Sequence, residues 1–143
     1  FEKMEQDKHI EWIRPETILP HRGEMLLIDR FYRDEDGIGH AIYQTAADAP
    51  FLVRGLVPGS FLCEMMAQGS AIVVAPDLEG KSTMYTGIRH MEFYQEVRGG
   101  ALCEMTGRLI DRKSGLYYAE VSLSVDGSLC ARGDISLFLL PRG

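Results

Sequence analysis

One mostly apolar segment, opened by Pro58-Gly59 and stopped by Pro76, limits the folds open to this chain. Within it Phe61, Leu62, Met65, Met66, Ile72 and Val73 recur at three- and four-residue spacing, which predicts a single helix over residues 59–75. Such a helix is about 25 Å long. Its flanks are nearly all apolar or small, so it must be covered on several sides rather than lie on a surface. The rest of the chain supplies strands to cover it.

Residues 10–19 read as a short helical or irregular lead-in that ends at Pro20, because proline pushes the residue before it out of the α region. An apolar run over residues 25–28, continuing to Tyr32, and the turn Asp36-Gly37 predict a strand that reverses into a second strand near residues 38–45. Downstream of the helix, strand-like runs cover residues 84–93, 101–111, 116–125 and 129–139, divided by Gly99-Gly100, Lys113-Ser114-Gly115 and Asp126-Gly127. Alternation is clearest where Ala119, Val121, Leu123 and Val125 face one way and Tyr118, Glu120, Ser122 and Ser124 the other, so one face of that strand is buried. An early hairpin, one buried helix and four antiparallel strands predict an α+β domain in which a long curled sheet wraps a central helix.

The 143 residues suit one domain spanning 1–143, and 45% apolar with 25% charged residues excludes a disordered chain. A net charge of −6 disfavours nucleic acid and anionic lipid as partners. The apolar segment is too short and too often interrupted to span a membrane, and residues 1–11 are too polar for a signal peptide. The chain does not open on Met, which leaves room for a few native residues before Phe1. Cys63, Cys103 and Cys130 cannot all pair and lack zinc-ligand spacing, so they read as reduced, partly buried thiols of a cytoplasmic protein without a metal.

Chemistry concentrates in three places. Glu64 is a lone carboxylate in the apolar helix, where burial would keep a proton available for general acid work, and Gln68 follows at i+4 to orient it. The competing role for Glu64 is a carboxylate at the helix edge that reaches water or a basic partner. Pro58-Gly59 opens the helix with unpaired N–H groups at its positive end, suited to a polarised carbonyl or simply to helix initiation. His21 stands in the turn after Pro20, where it either serves a site or holds the turn. His9 reads as solvated, and His40 and His90 as strand residues with surface or packing roles.

The segments Leu19-Pro20-His21-Arg22 with Leu26-Leu27-Ile28-Asp29-Arg30, and Pro58-Gly59 with Glu64-Met65-Met66-Ala67-Gln68, resemble the 3-hydroxyacyl-[acyl-carrier-protein] dehydratases of the hotdog superfamily. The similarity runs over most of the chain. In that family a histidine takes the C2 proton of an acyl thioester, a helix carboxylate from the other subunit protonates the C3 hydroxyl, and helix-start amides hold the carbonyl. Glu64 matches the carboxylate and Gly59 the carbonyl holder. The family's histidine, in a "GHFPG" segment, is missing, because Pro50-Phe51 leads through residues 52–57 directly to Pro58-Gly59. This shortened loop is similar to the dehydratase-like subfamily of aryl-polyene and related lipid-synthesis clusters.

The resemblance implies a hotdog dehydratase acting on an acyl-carrier-protein thioester, with Glu64 as acid, His21 as the replacement base, and Pro58, Gly59 and Gln68 binding or orienting. It implies no metal or redox cofactor. A homodimer joined sheet edge to sheet edge, with sites at the interface, is expected, alone or beside a second hotdog subunit. The alternatives are an acyl thioesterase, in which Glu64 activates water, and a non-catalytic partner subunit. Arg22, Arg54 and Arg89 are candidate contacts for an acidic carrier.

Overall fold

The computed structural model describes residues 10–77 and 80–141; His9 lies outside them. The chain forms β1 (Arg30–Arg33), β2 (Gly39–Gln44), the helix α1 (Gly59–Ser70), then β3 (Lys81–Phe93), β4 (Leu102–Lys113), β5 (Leu116–Val125) and β6 (Ser128–Pro141). One antiparallel sheet runs β1-β2-β4-β5-β6-β3 and wraps α1, whose residues Leu62, Met65, Met66 and Ala67 are buried against it. This is the α+β arrangement the pattern predicts. Burial along β5 follows the predicted alternation, with Tyr117, Ala119, Val121 and Leu123 inward. The turns β4–β5 and β5–β6 are two-residue reversals with positive φ at both positions, Ser114-Gly115 and Asp126-Gly127, the backbone that matches strand twist.

Two local expectations fail for identifiable reasons. The α-helix stops at Ser70, and residues 71–77 continue as a 3-10 helix instead of extending α1 to 75. There the Ser70 hydroxyl donates back to the Ala67 carbonyl at 2.6 Å, and the β-branched run Ile72-Val73-Val74 leads into Pro76. Residues 25–28 are not part of the first strand. Residues 23–25 make a 3-10 turn, opened by Gly23 at φ +59, and the Leu27 N–H goes to a helix side chain, so β1 begins only at Arg30. The predicted hairpin survives as β1–β2, with Asp34 accepting from the Asp36 and Ile38 N–H groups to close its turn.

The two sheet edges differ. β1 is four residues long and is shielded by Ile13, which exchanges backbone hydrogen bonds with Phe31. β3 is thirteen residues long, pairs only with β6, and exposes Met84 at 49% and Ile88 at 43%. An edge of that length with exposed apolar residues is a template for another strand.

Candidate active site

α1 presents Glu64 and Gln68 one turn apart, and the sheet covers the helix faces on either side. Gln68 is fully buried, and its amide is fixed at both ends. Its oxygen accepts from the Leu27 N–H at 2.8 Å, and its nitrogen donates to the Met25 carbonyl at 2.9 Å. That orientation leaves the second amide hydrogen for Glu64 Oε1, at 3.0 Å. The same backbone segment that fails to become a strand thus clamps the residue that orients the carboxylate. Replacing Gln68 by Leu orphans a buried N–H and a carbonyl, so Gln68→Leu is expected to cost about 1–3 kcal/mol. A urea midpoint equal to that of the wild type would contradict it.

Glu64 itself is not buried: its side chain is 42% exposed. The burial expected to retain its proton is therefore absent, because the chain leaves one side of this helix turn uncovered. His21 meets it there. His21 Nε2 lies 3.4 Å from Glu64 Oε1, within ion-pair range and slightly longer than a hydrogen bond. The turn carrying His21 is rigid, since the Arg22 guanidinium donates to the carbonyls of Leu19 at 2.6 Å, His21 at 2.7 Å and Glu16 at 3.0 Å. Arg22 is consequently committed to its own loop and is not a free carrier contact. Arg89 lies over the Tyr118 ring, 5.2 Å from its centroid.

Sequence reasoning does not single out Thr83 and Tyr85, two residues apart on the inner face of β3. Burial pushes the Tyr85 phenol up and outweighs the opposing effect of the Thr83 hydroxyl, and the Glu64 charge adds a smaller rise, so it stays protonated. The hydroxyls of both, and His21 Nδ1, are closed to solvent without a hydrogen-bond partner. Inward alternation along β3 is the signal that could have found them.

Pro58-Gly59 occupies a different face of α1. Five residues separate Gly59 from Glu64, roughly 140° around the helix. Gly59 lines an open cleft of about 410 Å³ with Leu56, Val57, Leu62, Phe93 and Tyr94, and neither His21 nor Glu64 lines it. A Cβ at Gly59 would press on the Phe93 ring at 3.3 Å, so a larger residue there would have to push that ring aside by a few tenths of an ångström. The Phe61 and Leu62 N–H groups both return to the Pro58 carbonyl, and no side chain caps the helix start. His21, Glu64 and Gln68 are therefore brought together, and Pro58-Gly59 stands apart from them within one chain.

His40 is held by Asp34 at 2.8 Å and stacks on Tyr32, a packing role. His90 lies exposed in a bulge of β3 at φ +53. Cys103 and Cys130 are buried free thiols, and Cys63 is partly buried. Among the described residues no group of three His, Cys, Asp or Glu side chains is placed to hold a metal ion.

A curled sheet around a helix that carries a carboxylate against a histidine is the plan of the hotdog-fold thioester enzymes. The family defined as ApeP-like, ApeP dehydratase, matches residues 13–140, and the chain belongs to that family. It is 32% identical over 126 residues to the 3-hydroxyacyl-[acyl-carrier-protein] dehydratase FabZ of Ruminiclostridium cellulolyticum, covering 82% of this chain and 89% of that protein. FabZ of Herpetosiphon aurantiacus is 29% identical, covering 83% and 90%. Among solved structures, the dehydratase heterocomplex ApeI:P from Xenorhabdus doucetiae superposes with a TM-score of 0.78 at 20% identity, over 92% of this chain and 94% of that one. A hypothetical thioesterase with coenzyme A from Streptococcus pneumoniae reaches 0.64 at 12% identity, over 78% and 85%. These two likenesses are of fold.

Proposed function

We propose that this chain eliminates water from a 3-hydroxyacyl thioester carried on acyl carrier protein, as the name of its FabZ relatives describes for them, with His21 and Glu64 as base and acid. The observation that carries the residue assignment is the 3.4 Å approach of His21 Nε2 to Glu64 Oε1, with Gln68 holding the same oxygen. In the productive state Nε2 carries its lone pair and Glu64 its proton. Nε2 takes the proton from C2, the freed electron pair forms the C2–C3 double bond, the C3–O bond breaks, and Glu64 protonates the departing oxygen to water. The imidazolium then hands its proton to Glu64 Oε1 across the 3.4 Å contact, and exchange with the water that reaches this exposed carboxyl moves it to Oε2, which restores the starting pair. Oε1 is engaged by Gln68 and His21, which leaves Oε2 for the substrate. The Gly59 amide, at the positive end of α1, stands on another face of that helix, so it polarises the carbonyl of a thioester at this pair only from a second copy of the chain. The enoyl thioesters made by such a reaction serve fatty-acid or aryl-polyene type biosynthesis.

Because elimination is reversible, the enoyl carrier thioester incubated in heavy-oxygen water tests the reaction. A dehydratase places the label on C3 of a thioester that remains bound. A thioesterase, the reading favoured by the 42% exposure of Glu64 to water, places it in a released carboxylate. Label only in free acid would overturn the dehydratase assignment, and no incorporation would point to a subunit without catalysis.

The bare edge of β3 supports a homodimer with β3 of each protomer side by side. Sedimentation is expected to give a dimer at micromolar concentration, and Ile88→Lys is expected to shift it toward monomer. A wild-type monomer would contradict the dimer, and a monomer that gains mass only with a second hotdog chain would replace it by a heterocomplex. No helix is long and apolar enough to cross a membrane among the described residues.

A further inference from the structure

We infer that each chain holds its acid and its base in cis, so that a partner subunit covers the site without supplying either proton-handling residue. This rests on His21 and Glu64 being the reactive pair. The family resemblance implies the opposite arrangement, a carboxylate crossing from the other subunit to meet the base. Here the loss of the "GHFPG" histidine has left the imidazole to the turn at residues 20–22, and that turn faces the helix of its own chain.

Restraints on both members of the pair are already in place within the chain. Glu64 Oε1 is held by Gln68, and Gln68 by the Leu27 N–H and the Met25 carbonyl, a few residues beyond the His21 turn. The His21 turn is tied by Arg22 to carbonyls of residues 16, 19 and 21. One stretch, residues 16–27, thus positions both partners at once. His21 Nδ1 is already closed to solvent inside the single chain, so no group on a second subunit reaches it to orient the ring. Besides the helix-start amide, a second subunit contributes cover for the apolar residues of the β3 edge. A pairing with any hotdog chain that fits that edge would then leave this chain's acid–base pair intact.

Mixed dimers test the inference. Chains carrying different affinity tags are co-expressed and doubly purified, so that every dimer contains one of each. When wild type is paired with a chain carrying both His21→Ala and Glu64→Gln, one of the two sites is intact in cis, and about half of the wild-type rate is expected. When His21→Ala is paired with Glu64→Gln, no site is complete in cis, and the rate is expected to stay at that of the parent variants. The reverse pattern, about half activity in the second pairing and none in the first, would overturn the inference. The wild-type member of the first pairing reads out activity whether or not the variant chain is fully folded. If no mixed dimer forms and the isolated chain still eliminates water, the pair acts in cis without a partner. Full activity in both single variants as homodimers would instead remove the assignment of the residues themselves, a failure distinct from that of the cis arrangement.

Discussion

Glu64→Gln is expected to lower kcat for water elimination by roughly 100- to 10,000-fold, the range that positioned acid–base groups supply. Its KM is expected to change little. The substitution keeps the shape of the side chain, and the amide oxygen can still accept from the Gln68 Nε2 hydrogen that now serves Glu64 Oε1. What it removes is the proton that reaches the leaving oxygen, which a primary amide cannot deliver and then recover. Since the side chain is substantially exposed and contributes no packing to the core, stability is expected to remain within about 0.5 kcal/mol of wild type. Urea denaturation checks that control. A variant that folds and eliminates water at the wild-type rate would show that this carboxylate is a solvated helix-edge residue.

His21→Ala is expected to cause a loss of similar size, roughly 100- to 10,000-fold in kcat, because no other imidazole among the described residues stands at Glu64. His40 is bound to Asp34 at the far hairpin, and His90 lies on the exposed edge strand. A purely structural role for the ring would also lower the rate, so added imidazole separates the two. It is expected to restore part of the rate to His21→Ala, by entering the space the ring leaves and accepting the C2 proton, and to do nothing for Glu64→Gln. Equal indifference of both variants to imidazole would assign His21 to holding the turn.

Elements whose sequence and tertiary environment agree are legible in the chain. The two-residue turns at Ser114-Gly115 and Asp126-Gly127 need positive φ twice, and the strands on either side alternate with period two, so residue types alone place β4, β5 and β6. Residues 25–28 defeat the same logic. Their apolar run looks like a strand, yet the Leu27 N–H is consumed by a side chain forty-one residues away, and no local pattern encodes a partner at that distance. The helix end is illegible for a different reason: the apolar periodicity runs on through Ile72 and Val73 while the backbone tightens to a 3-10 helix after Ser70.

The site shows the same division. Glu64 and Gln68 are readable together, since i and i+4 lie on one helix face, and the hydrogen bond between them forms. That His21 meets them cannot be read from spacing, because forty-three residues separate it from Glu64; only the family resemblance and the missing histidine suggest it. The exposure of Glu64 is one of the two roles the sequence leaves open, a buried acid or an edge carboxylate, and the apolar neighbours on the other faces of the helix do not decide between them. For Thr83 and Tyr85 the alternation of β3 marks only which face they share, since each is an ordinary strand former and it is the closing of the sheet over α1 that leaves their hydroxyls without partners.

The measurement that bears most directly on the central claim is intact-mass spectrometry of acyl carrier protein loaded with a 3-hydroxyacyl group and incubated with the wild-type protein. The expected result is loss of one water from an acyl group that remains on its carrier, absent when Glu64→Gln replaces the wild type. Release of the free carrier thiol, or a carrier mass that does not change, would contradict it.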